Sequence, residues 1–117
     1  MGTRSKLIAF GTTGGTGPVP IWTCPADTTA IVKYVAGNCP SLAPAVLQFA
    51  AAYHQPAGGP ISPFATLQCE DLGIPVFFVI NAPWEVFEPE DVLLIGDDGL
   101  GNWNLTVSGA LLEGVAL

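Results

Sequence analysis

The clearest pattern in the chain is a strict alternation of apolar and polar side chains over Trp103-Asn104-Leu105-Thr106-Val107-Ser108. A strand turns successive side chains to opposite faces, so Trp103, Leu105 and Val107 share one face and belong to a core. Short runs rich in β-branched and aromatic residues recur along the chain. They predict strands over Leu7–Gly11, Val19–Cys24, Thr28–Ala36, Val46–Tyr53, Phe64–Cys69, Val76–Ile80, Trp84–Phe87, Asp91–Ile95 and Trp103–Ser108. Eleven prolines and fourteen glycines punctuate these runs and leave little room for long helices. Many short strands at this spacing predict an all-β fold, an antiparallel β-sandwich of jelly-roll-like type. The length of 117 residues fits a single domain spanning residues 1–117, with short arms at residues 1–6 and 111–117.

Three segments refine that picture. Asp97-Asp98-Gly99-Leu100-Gly101-Asn102 separates two strands with glycine and Asx residues, a composition that predicts a hairpin. Val76-Phe77-Phe78-Val79-Ile80 is apolar on both faces, which suits a central strand or one whose outer face meets another chain. Ser41–Gln55 reads two ways. Ser41 suits a helix cap, and Leu42, Val46, Phe49 and Tyr53 would share a helical face, whereas Val46–Tyr53 also reads as a strand.

Composition then narrows the function. Half of the residues are hydrophobic and only 11 % are charged, well below the roughly 25 % of an average soluble domain. So few charges leave apolar surface either exposed or covered by a partner, which predicts homo-oligomerisation or docking on neighbouring proteins. The net charge is −7, and Arg4, Lys6 and Lys33 are the whole basic complement. Nine of the ten acids lie between Glu70 and Glu113. Phosphate backbones and anionic membranes both require clustered cations, so neither is an expected partner. The apolar stretch from Tyr34 to Cys69 is broken by five prolines and contains no membrane-spanning run. Cys24, Cys39 and Cys69 show no CxxC spacing, so no metal site is expected. Unpaired core thiols are the ordinary reading, with one disulfide and a free thiol as the alternative.

Candidate chemistry is sparse. His54 is the only histidine, and its setting in Ala51-Ala52-Tyr53-His54-Gln55-Pro56 suggests the start of a loop rather than a catalytic base. A Cys39–His54 pair has no flanking signature. Gly11-Thr12-Thr13-Gly14-Gly15-Thr16-Gly17 lacks the Lys-Ser/Thr ending of a phosphate loop, and Pro18 stands where a helix would begin. Glu85, Glu88, Glu90 and Asp91 could serve a hydrolase as paired carboxylates or hold calcium. A solvated turn explains them more simply, because no calcium-loop spacing is present. No catalytic residue, cofactor or metal is therefore expected. Trp84, between Pro83 and Glu85, is expected to be partly exposed. With Tyr53, Phe77, Phe78, Leu111, Leu112 and Leu117 it makes up the candidate interface. Trp84 and Tyr53 would also be the first residues of a glycan-binding platform.

Several stretches resemble small virion proteins of tailed bacteriophages of the minor tail, head-decoration or fibre-base kind. They are Ile21-Trp22-Thr23-Cys24-Pro25-Ala26-Asp27-Thr28-Thr29-Ala30-Ile31-Val32-Lys33, Trp84-Glu85-Val86-Phe87-Glu88-Pro89-Glu90-Asp91-Val92-Leu93 and Val107-Ser108-Gly109. The chain departs from the family pattern at two turns, with Asp27 and Glu90 standing where glycine is usual. The resemblance implies an antiparallel sandwich, and it favours the strand reading of Val46–Tyr53. It also implies a non-enzymatic structural protein, made in a host bacterial cytoplasm and ending in the virion. Its partners would be other virion proteins and further copies of itself, with a host-surface glycan as a third. A minor tail or tail-tip place is expected first, head decoration second and a carbohydrate-binding module third.

Overall fold

The computed structural model describes residues 6–38, 47–70, 79–100 and 102–113. They form nine strands: β1 (Lys6–Thr12), β2 (Val19–Thr23), β3 (Thr28–Asn38), β4 (Leu47–Gln55), β5 (Ser62–Glu70), β6 (Val79–Asn81), β7 (Glu85–Phe87), β8 (Val92–Asp97) and β9 (Asn104–Glu113). The chain is an antiparallel β-sandwich. One sheet runs β1-β9-β3-β6, with β7 also on β3, and the other runs β2-β8-β4-β5.

The pairing is nested: β1 with β9, β2 with β8, β3 with β6 and β7, and β4 with β5. β6 and β7 lie end to end along one edge of β3, against Val35–Gly37 and Ala30–Val32 respectively. They behave as one edge strand interrupted around Pro83, a residue with no amide hydrogen for a ladder. Counted so, the chain is one long hairpin of four strands against four, rolled into two sheets, which is the jelly-roll winding.

Alternation places the core between the sheets. Ala30, Val32, Val35 and Gly37 of β3 and Leu105 and Val107 of β9 face Ala50 and Ala52 of β4, Leu67 of β5, and Leu93 and Ile95 of β8. Small residues on β4 and β3 make room for large ones: a methyl group at Gly37 would lie 2.9 Å from both Leu105 and Trp103. Trp103 is fully buried, in line with its place in the alternating strand, and its backbone exchanges hydrogen bonds with Thr13.

Two expectations are corrected. β8 and β9 do not form a hairpin, since they belong to different sheets. The glycine and Asx residues between them serve a crossover instead: Asp97 accepts hydrogen bonds from the Gly99 and Gly15 amides, and Asp98 from those of Leu100 and Phe49. For the Val76–Ile80 segment only the central-strand alternative falls: its described part, Val79 and Ile80, lies on an edge strand. Leu47–Gln55 is a strand. Cys24 is a buried free thiol and Cys69 is disulfide-bonded, the second of the two cysteine readings. Of residues 111–117, Leu111 to Glu113 are rungs of β9 against Thr28–Ala30, and the remainder lies outside the described residues.

Candidate functional site

Two features stand apart from ordinary sandwich packing, and the first is the outer face of the sheet containing β1, β9, β3, β6 and β7. Register aligns its outward residues into rows. Phe10, Thr106, Ala36 and Ile80 form one, Leu7, Ser108 and Tyr34 the next, and Ala110, Ile31 and Val86 a third. None of these ten side chains carries a charge. Leu7 (61 % exposed), Phe10 (62 %), Tyr34, Ile80 (59 %) and Val86 stand open to solvent. Leu112 continues the face at one end and Trp84 (61 % exposed) stands at its margin. Together these are seven of the twelve exposed large hydrophobics among the described residues.

Relief on this face is uneven. Thr106 and Ala36 are small, Phe10 rises beside them, and a groove of about 350 Å³ runs between Phe10, Ala36, Gly37, Thr106, Asn38 and Asn104. At the opposite margin Lys33, the residue of the bulge in β3, places its Nζ 5.3 Å from the centre of the Trp84 ring. The Trp84 backbone is left-handed, with φ 54°. A bulky residue held there is costly, and such strain concentrates at working positions.

The second feature is a cluster at one end of the sandwich. His54 does not start a loop: it lies on β4 and faces the core side, with its ring stacked on Phe87 at 4.0 Å between centroids. Trp22 and Phe64 meet the same Phe87 ring edge-on. His54 Nδ1 is 2.9 Å from Glu85 Oε2, and Nε2 is 2.7 Å from Asp91 Oδ2. Both ring nitrogens are engaged by carboxylates, so His54 on β4 ties Glu85 of β7 in one sheet to the start of β8 in the other and clamps the two sheets together.

Asp91 is the buried member. It accepts from the Ala57 amide through Oδ1 and from the Glu88 amide and His54 through Oδ2. Burial pushes its carboxyl up, but these hydrogen bonds outweigh it and hold the pKa below the ordinary value. The acidic segment is thus not wholly a solvated turn: Asp91 fastens it, while Glu88 and Glu90 are exposed. Asp27 and Glu90, each in a turn, both have left-handed backbones, at φ 59° and 73°.

The candidate interface residues divide among these places. Trp84 and Leu112 are exposed on or beside the apolar face, and Leu111 turns inward to pack on the core. Tyr53 lies on the other sheet, with Phe49, Thr66, Asp97 and Asp98 around a hollow of about 180 Å³. All four carboxylate oxygens of that aspartate pair are already engaged by backbone amides. Phe77, Phe78 and Leu117 lie outside the described residues, as does Cys39 of the Cys39–His54 pair. Sequence reasoning missed Leu7, Phe10, Tyr34, Ile80 and Val86, because only register shows that they share a face. No group of three or more metal-ligating side chains occurs among the described residues.

Neither the protein-family models nor the curated proteins contain a match to this chain.

Proposed function

We propose that this protein is a non-enzymatic structural subunit, built to be covered by neighbours in a larger assembly. One observation carries the reading: the outer face of one sheet has ten aligned uncharged side chains in a chain with net charge −7. Seven large side chains there and at its margins expose apolar surface on the order of 700 Å². Free monomers rarely leave more than a few hundred Å² of contiguous apolar surface open. The resemblance of the turn and strand segments supports a tailed-phage virion as the assembly and a minor tail or tail tip as the place, with head decoration as the alternative.

A glycan-binding module is less well supported. Tyr53 and Phe49 flank a shallow hollow, but the carboxylates beside them are spent on the protein's own amides. Gold labelling of source particles with an antibody to this chain tests the main reading. Label at the tail supports the minor tail place, and label over the head moves it to decoration. Absence from both intact and disrupted particles would sink the virion reading.

A further inference from the structure

The apolar face poses a narrower question, namely what covers it. Edge pairing is poorly provided for. β2 carries Pro20, β5 carries Pro63, β6 and β7 are broken around Pro83, and β1 is bulged between Leu7 and Ala9. Prolines, breaks and bulges at sheet edges are the usual devices that prevent a strand from pairing with another chain. Contact is left to the faces.

From the relief and charge of the outer face of the β1-β9-β3-β6 sheet, we infer that a second copy of this chain covers it, related by a two-fold axis. Phe10 of each copy seats in the groove over Ala36 and Thr106 of the other. A two-fold interface needs one patch holding both a projection and the hollow that receives it. This patch does: Phe10 is 62 % exposed and forms one wall of a groove of about 350 Å³ floored by small side chains. A projection beside its own receiving groove is completed by rotating a second copy through half a turn.

Charge and area agree. Each copy carries −7, so a self-interface must keep the acids apart, and the three rows contain none. Like charges opposed across an interface would repel and work against pairing. An open apolar surface on the order of 700 Å² approaches the roughly 800 Å² per partner that a standard stable interface buries. Sheets that pack face to face interleave side chains in the same manner within a single domain.

The inference rests on the reading of this chain as an assembly subunit, but its test needs no particle. Analytical ultracentrifugation of the full chain at about 100 µM should find a dimer, a concentration at which even micromolar pairs form. Phe10→Asp and Ala36→Arg should each give a monomer with unchanged circular dichroism. Leu47→Asp, on the other sheet and 42 % exposed, should remain dimeric. If Phe10→Asp fails to fold, Phe10→Ala decides: a dissociation constant raised about tenfold supports the pairing, and an unchanged one overturns it. A parent chain that is monomeric at that concentration overturns it. So does any oligomer that survives both face substitutions, or one broken by Leu47→Asp alone. Dimers from a chain absent from particles would defeat the virion reading only. Monomers from a chain that labels particles would defeat the self-pairing only.

Discussion

Asp91 is the residue whose surroundings are most out of the ordinary. It is buried, yet it accepts from two amides and from His54, and its pKa is held below the usual carboxylate range. A group depressed in the folded state contributes stability above its unfolded pKa and loses that contribution as pH falls through the lower folded value. Resistance to urea should therefore hold at pH values above the ordinary carboxylate range and decline below it. In Asp91→Asn that acid limb should flatten, and stability at neutral pH should drop by about 2–3 kcal/mol, because a buried charged acceptor is lost. Glu85→Gln should cost less than about 1 kcal/mol, since its carboxylate is one-third exposed and, among the described residues, meets only His54. Equal losses at the two positions would show that Asp91 is not the anchor. Glu90 makes the opposite case. Its left-handed backbone costs about 1–2 kcal/mol and its side chain is exposed, so Glu90→Gly should stabilise the fold by about 0.5–1 kcal/mol after the added chain entropy of glycine. A loss of stability on thermal unfolding would show that the Glu90 side chain does something the contacts omit.

Between β3 and β9 the ladder depends on one missing side chain. A methyl group at Gly109 would lie 1.9 Å from the Ile31 carbonyl oxygen, a backbone atom fixed in the sheet. Gly109→Ala must therefore push the two central strands apart beside the bulge in β3, at a cost on the order of 3 kcal/mol or more. Denaturant unfolding that finds a change below about 0.5 kcal/mol would mean the bulge can shift to absorb it. Such elements were largely legible in the sequence, because β-branched runs between prolines and glycines mark strands wherever they pair. What remained hidden depended on partners far away in the chain. The loop from Asp97 to Asn102 has hairpin chemistry, but β8 is apolar on both faces and sits between β2 and β4, so the loop crosses to the other sheet. His54 shares the inward side of β4 with Ala50 and Ala52, yet its carboxylate partners lie 31 and 37 residues further on. The row of Phe10, Thr106, Ala36 and Ile80 draws on four strands, and no local periodicity could have joined them.

At the scale of the whole molecule, two forces act on any pair of these chains. The net charge of −7 pushes copies apart, and in the proposed pairing the uncharged sheet face draws them together through burial of apolar surface. Their responses to salt differ in sign from those of a charge-steered complex. Screening shortens the range of repulsion from about 30 Å at 0.01 M ionic strength to about 10 Å at 0.1 M, while apolar burial is not weakened. Association of the full chain should therefore tighten as sodium chloride rises from about 0.01 M to about 0.5 M, with a dissociation constant several-fold lower at the upper end. Sedimentation at a fixed protein concentration across that series would read it directly. An association driven by opposite charges, such as Lys33 meeting acids on a neighbouring copy, would weaken over the same range. Tightening in the parent, with no response in monomeric Ala36→Arg, would tie the effect to the groove face. Weakening would mean that the acids hold the copies together and that the apolar face is turned toward a different neighbour.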